Sequence, residues 1–298
     1  YNKGNVLFRL GRHEEANDCY EKVLELEPNH VSALNNKGNA LDGLGRHGEA
    51  VACFERALAL DGEHPAAWNN KGLGQDSLGQ YEEAIRCYDK ALVLDPRYAG
   101  AWNNKGGSLF RLGRDEESLA CYDQALELAP EEAGVWRNKG DVLNRLGRYE
   151  EALACYDQAL ARAAPADAGI WRNRGDILNR LGTDDQEAVR CYERALELSP
   201  QEPRVWRDKA DVLARLGRLE EAVAGYDKAA ELATPDAGLW RSKGDVLNRL
   251  GRYEDAVRCY DQALELEPKH AAALGAKGLS LYGLGRYDEA IAVCDAAL

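Results

Sequence analysis

The chain has 298 residues, 45% of them hydrophobic and 30% charged, with a formal net charge of -13. A surface this acidic repels phosphate backbones and argues against nucleic acid as a partner. No run approaches the roughly 18 apolar residues that a membrane-spanning helix needs, and the opening Tyr1-Asn2-Lys3-Gly4 carries neither half of a secretion signal.

A Leu-Gly turn recurs along the chain, with its glycine at 11, 45, 79, 113, 147, 182, 217, 251 and 285. The steps are 34 residues except for two of 35, so the sequence is nine copies of one unit. In each copy a helical pattern leads to the glycine and a second helical run follows, closing near a proline such as Pro96 or Pro130. The expectation is a single continuous array over 1–298, divided at about 1–30, 31–64, 65–98, 99–132, 133–167, 168–202, 203–236, 237–270 and 271–298. The two longer steps are single-residue insertions, one in Ala161-Arg162-Ala163-Ala164 before Pro165 and one in Thr183-Asp184-Asp185, and each is expected to perturb the stacking locally. No methionine occurs, even at position 1, and both ends fall inside a helix, so the chain is expected to be a segment of something longer or to stack on copies of itself.

In the third copy the signature reads Trp68, Gly72, Leu78-Gly79, Tyr81, Ala84, Tyr88, Ala91 and Pro96. This pattern resembles the tetratricopeptide repeat, over the whole chain. The resemblance implies an all-α, right-handed solenoid of about nine helix-turn-helix hairpins, with first helices lining a concave surface. Gly72 and Ala84 are small where the two helices cross, Tyr88 and Leu78 are expected to fill the space between them, and Pro96 stops the second helix. Trp68, Trp102, Trp136, Trp171, Trp206 and Trp240 share one repeat position and are read as packing residues. Three residues on, where the family has leucine, the chain has lysine or arginine from Lys3 to Lys277, a place for a long cation to lie on the neighbouring hairpin and reach an acid there.

Signs of chemistry are scarce. Cys19, Cys53, Cys87, Cys121 and Cys155 follow the repeat at 34-residue spacing, too far apart for disulfides, and are read as reduced and buried. The five histidines sit at turn positions without cysteine at metal-ligand spacing. Neither a nucleophile motif nor a phosphate loop occurs, so no enzyme activity and no cofactor or metal are expected, and a cytoplasmic location is inferred from the reduced cysteines.

Binding is the stronger expectation. Two residues after each tryptophan position stands Asn2, Asn36, Asn70, Asn104, Asn138 or Asn173, with Asp208, Ser242 and Ala276 ending the series. The series is similar to the asparagine ladder along the inner surface of the O-GlcNAc transferase superhelix. That likeness implies an extended peptide held through its backbone, since a side-chain amide offers both donor and acceptor. Beside it run Arg137-Asp141-Arg145, Arg172-Asp176-Arg180, Arg207-Asp211-Arg215 and Arg241-Asp245-Arg249, each triplet on one helix face. Eight arginines against four aspartates would draw an acidic partner, unless the rows satisfy themselves as solvated ion pairs. The family's carboxylate clamp for chaperone tails would fall on Arg137, Asp141, Asn173, Arg204 and Asp208, where two aspartates repel a terminal carboxylate. Three readings follow: a scaffold holding an extended protein segment, an array that stacks end to end into a filament or ring, and the targeting arm of an enzyme whose catalytic domain lies elsewhere.

Overall fold

The computed structural model describes residues 1–162 and 167–296. These form two compact units, Tyr1–Arg162 and Ala163–Leu298. Unit 1 holds α1 (Asn2–Arg9), α2 (His13–Leu26), α3 (Val31–Gly43), α4 (His47–Leu60), α5 (Pro65–Ser77), α6 (Tyr81–Leu94), α7 (Ala99–Arg111), α8 (Asp115–Leu128), α9 (Ala133–Arg145) and α10 (Tyr149–Arg162). Unit 2 holds α11 (Ala168–Leu181), α12 (Asp185–Leu198), α13 (Pro203–Arg215), α14 (Leu219–Leu232), α15 (Ala237–Arg249), α16 (Tyr253–Leu266), α17 (Ala271–Gly283) and α18 (Tyr287–Asp295). No strand occurs among the described residues. Each odd-numbered helix pairs with the next as a hairpin, and successive hairpins of a unit stack. Within each unit the first helices of neighbouring hairpins also touch, from α3 to α9 and from α11 to α17, so each stack closes on the first-helix side.

The turn explains the invariant glycine. In eight of the nine hairpins it has φ between 73° and 77°, a left-handed conformation closed to most side chains. In the fourth hairpin Gly113 N–H donates to the Phe110 carbonyl and Arg114 N–H to the Leu109 carbonyl, which satisfies carbonyls left over at the end of α7. The second helix then starts with acids in its first turn, favourable against the helix dipole, and the preceding arginine grips one of them, as in Arg12–Glu15, Arg46–Glu49 and Arg148–Glu151. At the Thr183-Asp184-Asp185 insertion, α11 runs one residue longer than the other described full-length first helices, Gly182 has φ 61°, and Asp184 replaces the arginine as a cap, accepting from Glu187 N–H at 2.8 Å. The other insertion, in Ala161-Arg162-Ala163-Ala164, runs into 163–166, outside the described residues.

In the first eight hairpins one aromatic ring fills the crossing, and in the ninth Cys294 stands opposite Gly278 instead. Tyr20, Phe54, Tyr88, Tyr122, Tyr156, Tyr192, Tyr226 and Tyr260 are all fully buried. Facing them are glycines with no room for a side chain: a Cβ on Gly72 would lie 2.5 Å from the Tyr88 ring, and one on Gly140 2.7 Å from Tyr156. The seventh hairpin makes the exchange in pairs. Ala210 takes the glycine position, and Gly225 takes the place of the facing cysteine, where a Cβ would meet that of Ala210 at 3.0 Å. Leu78 corrects an expectation: it caps the C-terminus of α5 beside the turn and is 43% exposed, while buried Gln75, three residues earlier, holds the interior place.

Stacking is tied by the cation three residues after tryptophan. Lys37 reaches Glu21, Lys71 reaches Glu55, Lys105 reaches Asp89 and Lys139 reaches Asp123, all at 2.6–2.9 Å and all on the second helix of the preceding hairpin. Lys209–Glu193 and Lys277–Asp261 repeat the contact in unit 2. The lysine ammonium groups also stand 5.4–5.8 Å from the centroids of Trp68, Trp102, Trp136, Trp206 and Trp240. Four of these indoles donate to a carbonyl six residues earlier, for example Trp102 Nε1 to Pro96 O at 3.0 Å, which anchors the inter-hairpin loop. The tryptophans are packing and tethering residues, as the regular recurrence predicts. Of the eight cysteines six are buried, Cys19 is half-buried and Cys294 exposed. Burial pushes the Cys87 and Cys121 thiols up to about 11, which keeps them protonated and unreactive at neutral pH.

Gly140→Ala is expected to destabilise unit 1 by about 1–3 kcal/mol through overpacking against Tyr156. Adding Cys155→Gly, which copies the seventh hairpin's exchange, should recover part of the loss; urea unfolding of the two variants beside the wild type measures both effects.

Candidate functional site

The asparagines form a continuous chain of amides along the first helices of unit 1. Asn138 Nδ2 donates to Asn103 Oδ1 at 3.1 Å, Asn104 to Asn69 at 3.0 Å and Asn70 to Asn35 at 3.1 Å, each reaching the hairpin before. Within a hairpin the neighbouring amide closes the link, with Asn103 donating to Asn104, Asn69 to Asn70 and Asn35 to Asn36 at 3.2–3.4 Å. At the start, Asn36 donates to the Tyr1 hydroxyl and to Asn5 Oδ1. The partners Asn35, Asn69 and Asn103 escaped the sequence reading, although the Asn-Asn doublets at 35–36, 69–70 and 103–104 were their signal. Each interior rung therefore uses one N–H and one lone pair on its neighbours and keeps one N–H and one lone pair in reserve. Asn36, Asn70, Asn104 and Asn138 are half-buried, Asn2 is exposed at the start of α1, and Asn173 accepts from Arg172.

In the fifth to eighth hairpins arginine replaces the first asparagine of the doublet, and the triplets tie hairpins together. The aspartate binds the buried tyrosine of its own hairpin: Asp141 accepts from the Tyr156 hydroxyl at 2.7 Å, Asp176 from Tyr192 at 3.0 Å, Asp211 from Tyr226 at 2.5 Å and Asp245 from Tyr260 at 2.8 Å. The first arginine reaches forward, Arg172 to Glu202 at 3.3 Å and Arg207 to Asp236 at 2.7 Å, and both acids are N-cap residues of the next first helix. The last arginine reaches back. Arg145 pairs with Asp115, donates to the Phe110 carbonyl at 2.7 Å and stacks 3.6 Å from the Phe110 ring centroid. Arg215 pairs with Asp185 at 2.6 Å, and Arg249 donates to the Ala214 carbonyl at 2.7 Å. The pairing along the row closes at Arg241–Asp245, 3.0 Å apart. Arg137 donates to Asn138 at 3.5 Å, and Arg180 lines a small cleft with Asp176, Arg204 and Asp208.

A cleft of about 540 Å³ opens among the first helices of unit 1, lined by Asn103, Asn104, Arg111, Arg137, Asn138 and Asp141 together with Asp76, Ser108, Tyr81 and Tyr122. Both oxygens of Asp76 are engaged, by the Tyr88 hydroxyl and the Ser108 hydroxyl at 2.6 Å each, and burial raises its carboxyl above the usual range. In the seventh hairpin, in unit 2, the ladder position holds Asp208 instead. Arg204 bridges it to Asp176 at 3.3 Å to each, and burial followed by the charge of Asp176 holds the Asp208 carboxyl above its ordinary value. Among the described residues no cluster of histidine, cysteine and acids could hold a metal, and the His30, His64 and His270 side chains serve as helix caps. No described helix is long and apolar enough to cross a membrane.

Three family profiles described as tetratricopeptide repeat match residues 1–63 and 131–201, 65–98 and 99–132, and 186–237 and 241–298. The chain belongs to the tetratricopeptide-repeat family. No curated protein matches it. Among solved structures, pilF of Pseudomonas aeruginosa is 23% identical with a TM-score of 0.59 over 70% of this chain and 94% of its own. A tetratricopeptide repeat protein from Parabacteroides merdae is 19% identical with a TM-score of 0.56 over 84% and 98%. YrrB, described as a TPR protein with an unusual peptide-binding site, is 22% identical with a TM-score of 0.50 over 61% and 92%. These likenesses establish the same helical-repeat fold, that of a family whose members are generally protein-interaction scaffolds.

Asp208→Asn restores the ladder's own residue and removes a carboxylate buried beside another. It is expected to stabilise the protein by about 0.5–2 kcal/mol near neutral pH. An acid whose folded value is raised weakens folding as pH rises through its range, so the gain should shrink as pH falls and wild-type Asp208 protonates. Urea unfolding at about pH 7 and about pH 4 reads both the sign and the trend.

Proposed function

We propose that this chain is a protein-interaction scaffold whose working surface is the first-helix cleft, and that the cleft holds an extended protein segment through its backbone. The observation that carries the reading is the amide chain from Asn138 to Asn36, in which each interior asparagine keeps one donor and one acceptor in reserve and whose Asn103, Asn104 and Asn138 line a cleft of about 540 Å³. An extended peptide presents alternating N–H and C=O groups, and fixed amides can meet them whatever the side chains are. Because neighbouring rungs hold each other, their geometry is set before a ligand arrives, which lowers the ordering cost of binding. YrrB, a neighbour of the same fold, is described as carrying a peptide-binding site, in keeping with this use of the fold.

A second reading rests on the last hairpin. Leu279, Tyr282, Tyr287 and Ile291 are 57–68% exposed and line an apolar hollow of about 500 Å³ on α17 and α18. A second copy of this chain could dock there through its exposed Tyr1, Val6 and Leu10, hairpin upon hairpin as inside each unit. The two readings concern different surfaces and are compatible.

Replacing Asn70, Asn104 and Asn138 together with alanine separates ladder recognition from mere architecture. The expected result is at least about tenfold weaker binding of synthetic extended peptides by fluorescence anisotropy, since several backbone hydrogen bonds of about 1 kcal/mol each are lost. Helicity should persist, with a lower melting temperature from the missing inter-hairpin amide bonds. Peptide affinity that is unchanged while the melting temperature falls would reduce the ladder to a structural device.

A further inference from the structure

The last arginine of a first helix is ordinarily tied to the hairpin before it. Arg145 finds Asp115 thirty residues earlier, and Arg215 finds Asp185 at the same separation. Those aspartates open α8 and α12. Arg111 holds the same place at the end of α7, but the residue thirty positions earlier, which opens α6, is Tyr81. A phenol ring cannot neutralise the guanidinium, and among the described residues Arg111 makes no hydrogen bond or ion pair. It is exposed and lines the unit 1 cleft beside Asn104 and Asn138.

The acids around it are otherwise engaged. The two Asp76 oxygens accept from Tyr88 and Ser108, and Asp141 accepts from Tyr156. The fourth hairpin lacks a further acid as well, because Gly107 stands where the next four hairpins carry Asp141, Asp176, Asp211 and Asp245. Two acids are thus missing at the junction of the third and fourth hairpins, one from each, and the unit 1 cleft described above lies where they are missing. Besides the reserve amide N–H groups of the ladder, the donors open to a ligand there include the N–H groups of the Arg111 guanidinium, which fit a carboxylate in a planar, two-pronged contact.

We propose that Arg111 is the specificity-determining residue of the cleft, taking a carboxylate of the bound segment while Asn104 and Asn138 hold the neighbouring backbone. The assignment rests on the groove reading above. It places acid recognition on a residue outside the four Arg-Asp-Arg triplets, whose arginines largely serve inter-hairpin ties. The carboxylate has two possible sources, a glutamate or aspartate side chain or a chain terminus, and the same contact serves either.

Three synthetic peptides distinguish these cases: a Gly-Ser-Glu repeat blocked at both ends, the Gly-Ser-Gln counterpart blocked at both ends, and the Gln peptide with a free C-terminus. Wild type is expected to bind a carboxylate-bearing peptide about tenfold more tightly than the blocked Gln peptide, the scale of one charge-assisted contact in a partly desolvated cleft. Preference for the blocked Glu peptide assigns the side-chain source, and preference for the free C-terminus assigns the terminal one. Arg111→Gln should erase the preference by bringing affinity for the carboxylate-bearing peptide down to that for the blocked Gln peptide. Tyr81→Asp, which supplies the anchor that Arg145 and Arg215 possess, should erase it with the arginine still present and without loss of thermal stability. A preference that survives Arg111→Gln overturns the proposal, and its retention in Tyr81→Asp counts equally against an unpaired Arg111 as the cause. Equal binding of all three peptides, weakened by Asn104→Ala, overturns the Arg111 assignment alone. No binding of any peptide, or binding indifferent to Asn104→Ala, overturns the groove reading and this assignment with it.

Discussion

Everything in this fold follows from a ring pressed on a backbone. In hairpin after hairpin a fully buried tyrosine lies against a glycine that cannot take even a methyl group, so the two helices can cross at one distance only. A buried phenol must also place its hydroxyl, and Asp76, Asp141, Asp176, Asp211 and Asp245 stand on the first helix to accept it. The acid, in turn, is a half-buried charge on the face where the first helices meet. Packing at the crossing therefore dictates the electrostatics of the candidate binding surface.

Between hairpins the polar ties take different forms on different sides. Near the second helices, lysine ammonium groups bond acids of the hairpin before while standing close to tryptophan rings, contacts individually weak because the acids are half exposed. On the first-helix side the ties are amide to amide among the early hairpins and arginine to acid from Arg145–Asp115 onward, both partly shielded from water. Such networks are most informative where a member is absent. The fourth hairpin lacks an acid at 107, the third has a tyrosine in place of an aspartate at 81, and it is at their junction that a cleft and an unpaired cation coincide.

Much of this was legible in the sequence because a repeat states its own rules nine times. The glycine spacing gave the hairpins, and the regular recurrence of tryptophan and lysine foretold their packing roles. Leu78 was misplaced because an apolar residue next to a left-handed glycine has the right pattern for the core and the wrong geometry for it. The asparagines and the triplets were read one position at a time, and that is why their partners were missed. Asn104 binds Asn69, 35 residues away, and Arg145 binds Asp115, 30 away, separations that straddle the period and show only when adjacent hairpins are superposed. Arg111 was passed over for the complementary reason, since an unpaired residue leaves no pattern of its own.

The amide chain runs in one direction only. Every second asparagine donates toward the N-terminus, and every first asparagine donates to its neighbour, so a hairpin copied whole carries a matching donor and acceptor with it. Gene duplication among the early hairpins can thus lengthen the ladder without stranding a polar group. The later hairpins, whose Arg172 and Arg207 reach forward to Glu202 and Asp236, obey a different rule for their junctions. A hairpin moved from one group into the other would arrive with unmatched partners on both sides, so the chain can grow within each group far more readily than it can shuffle between them.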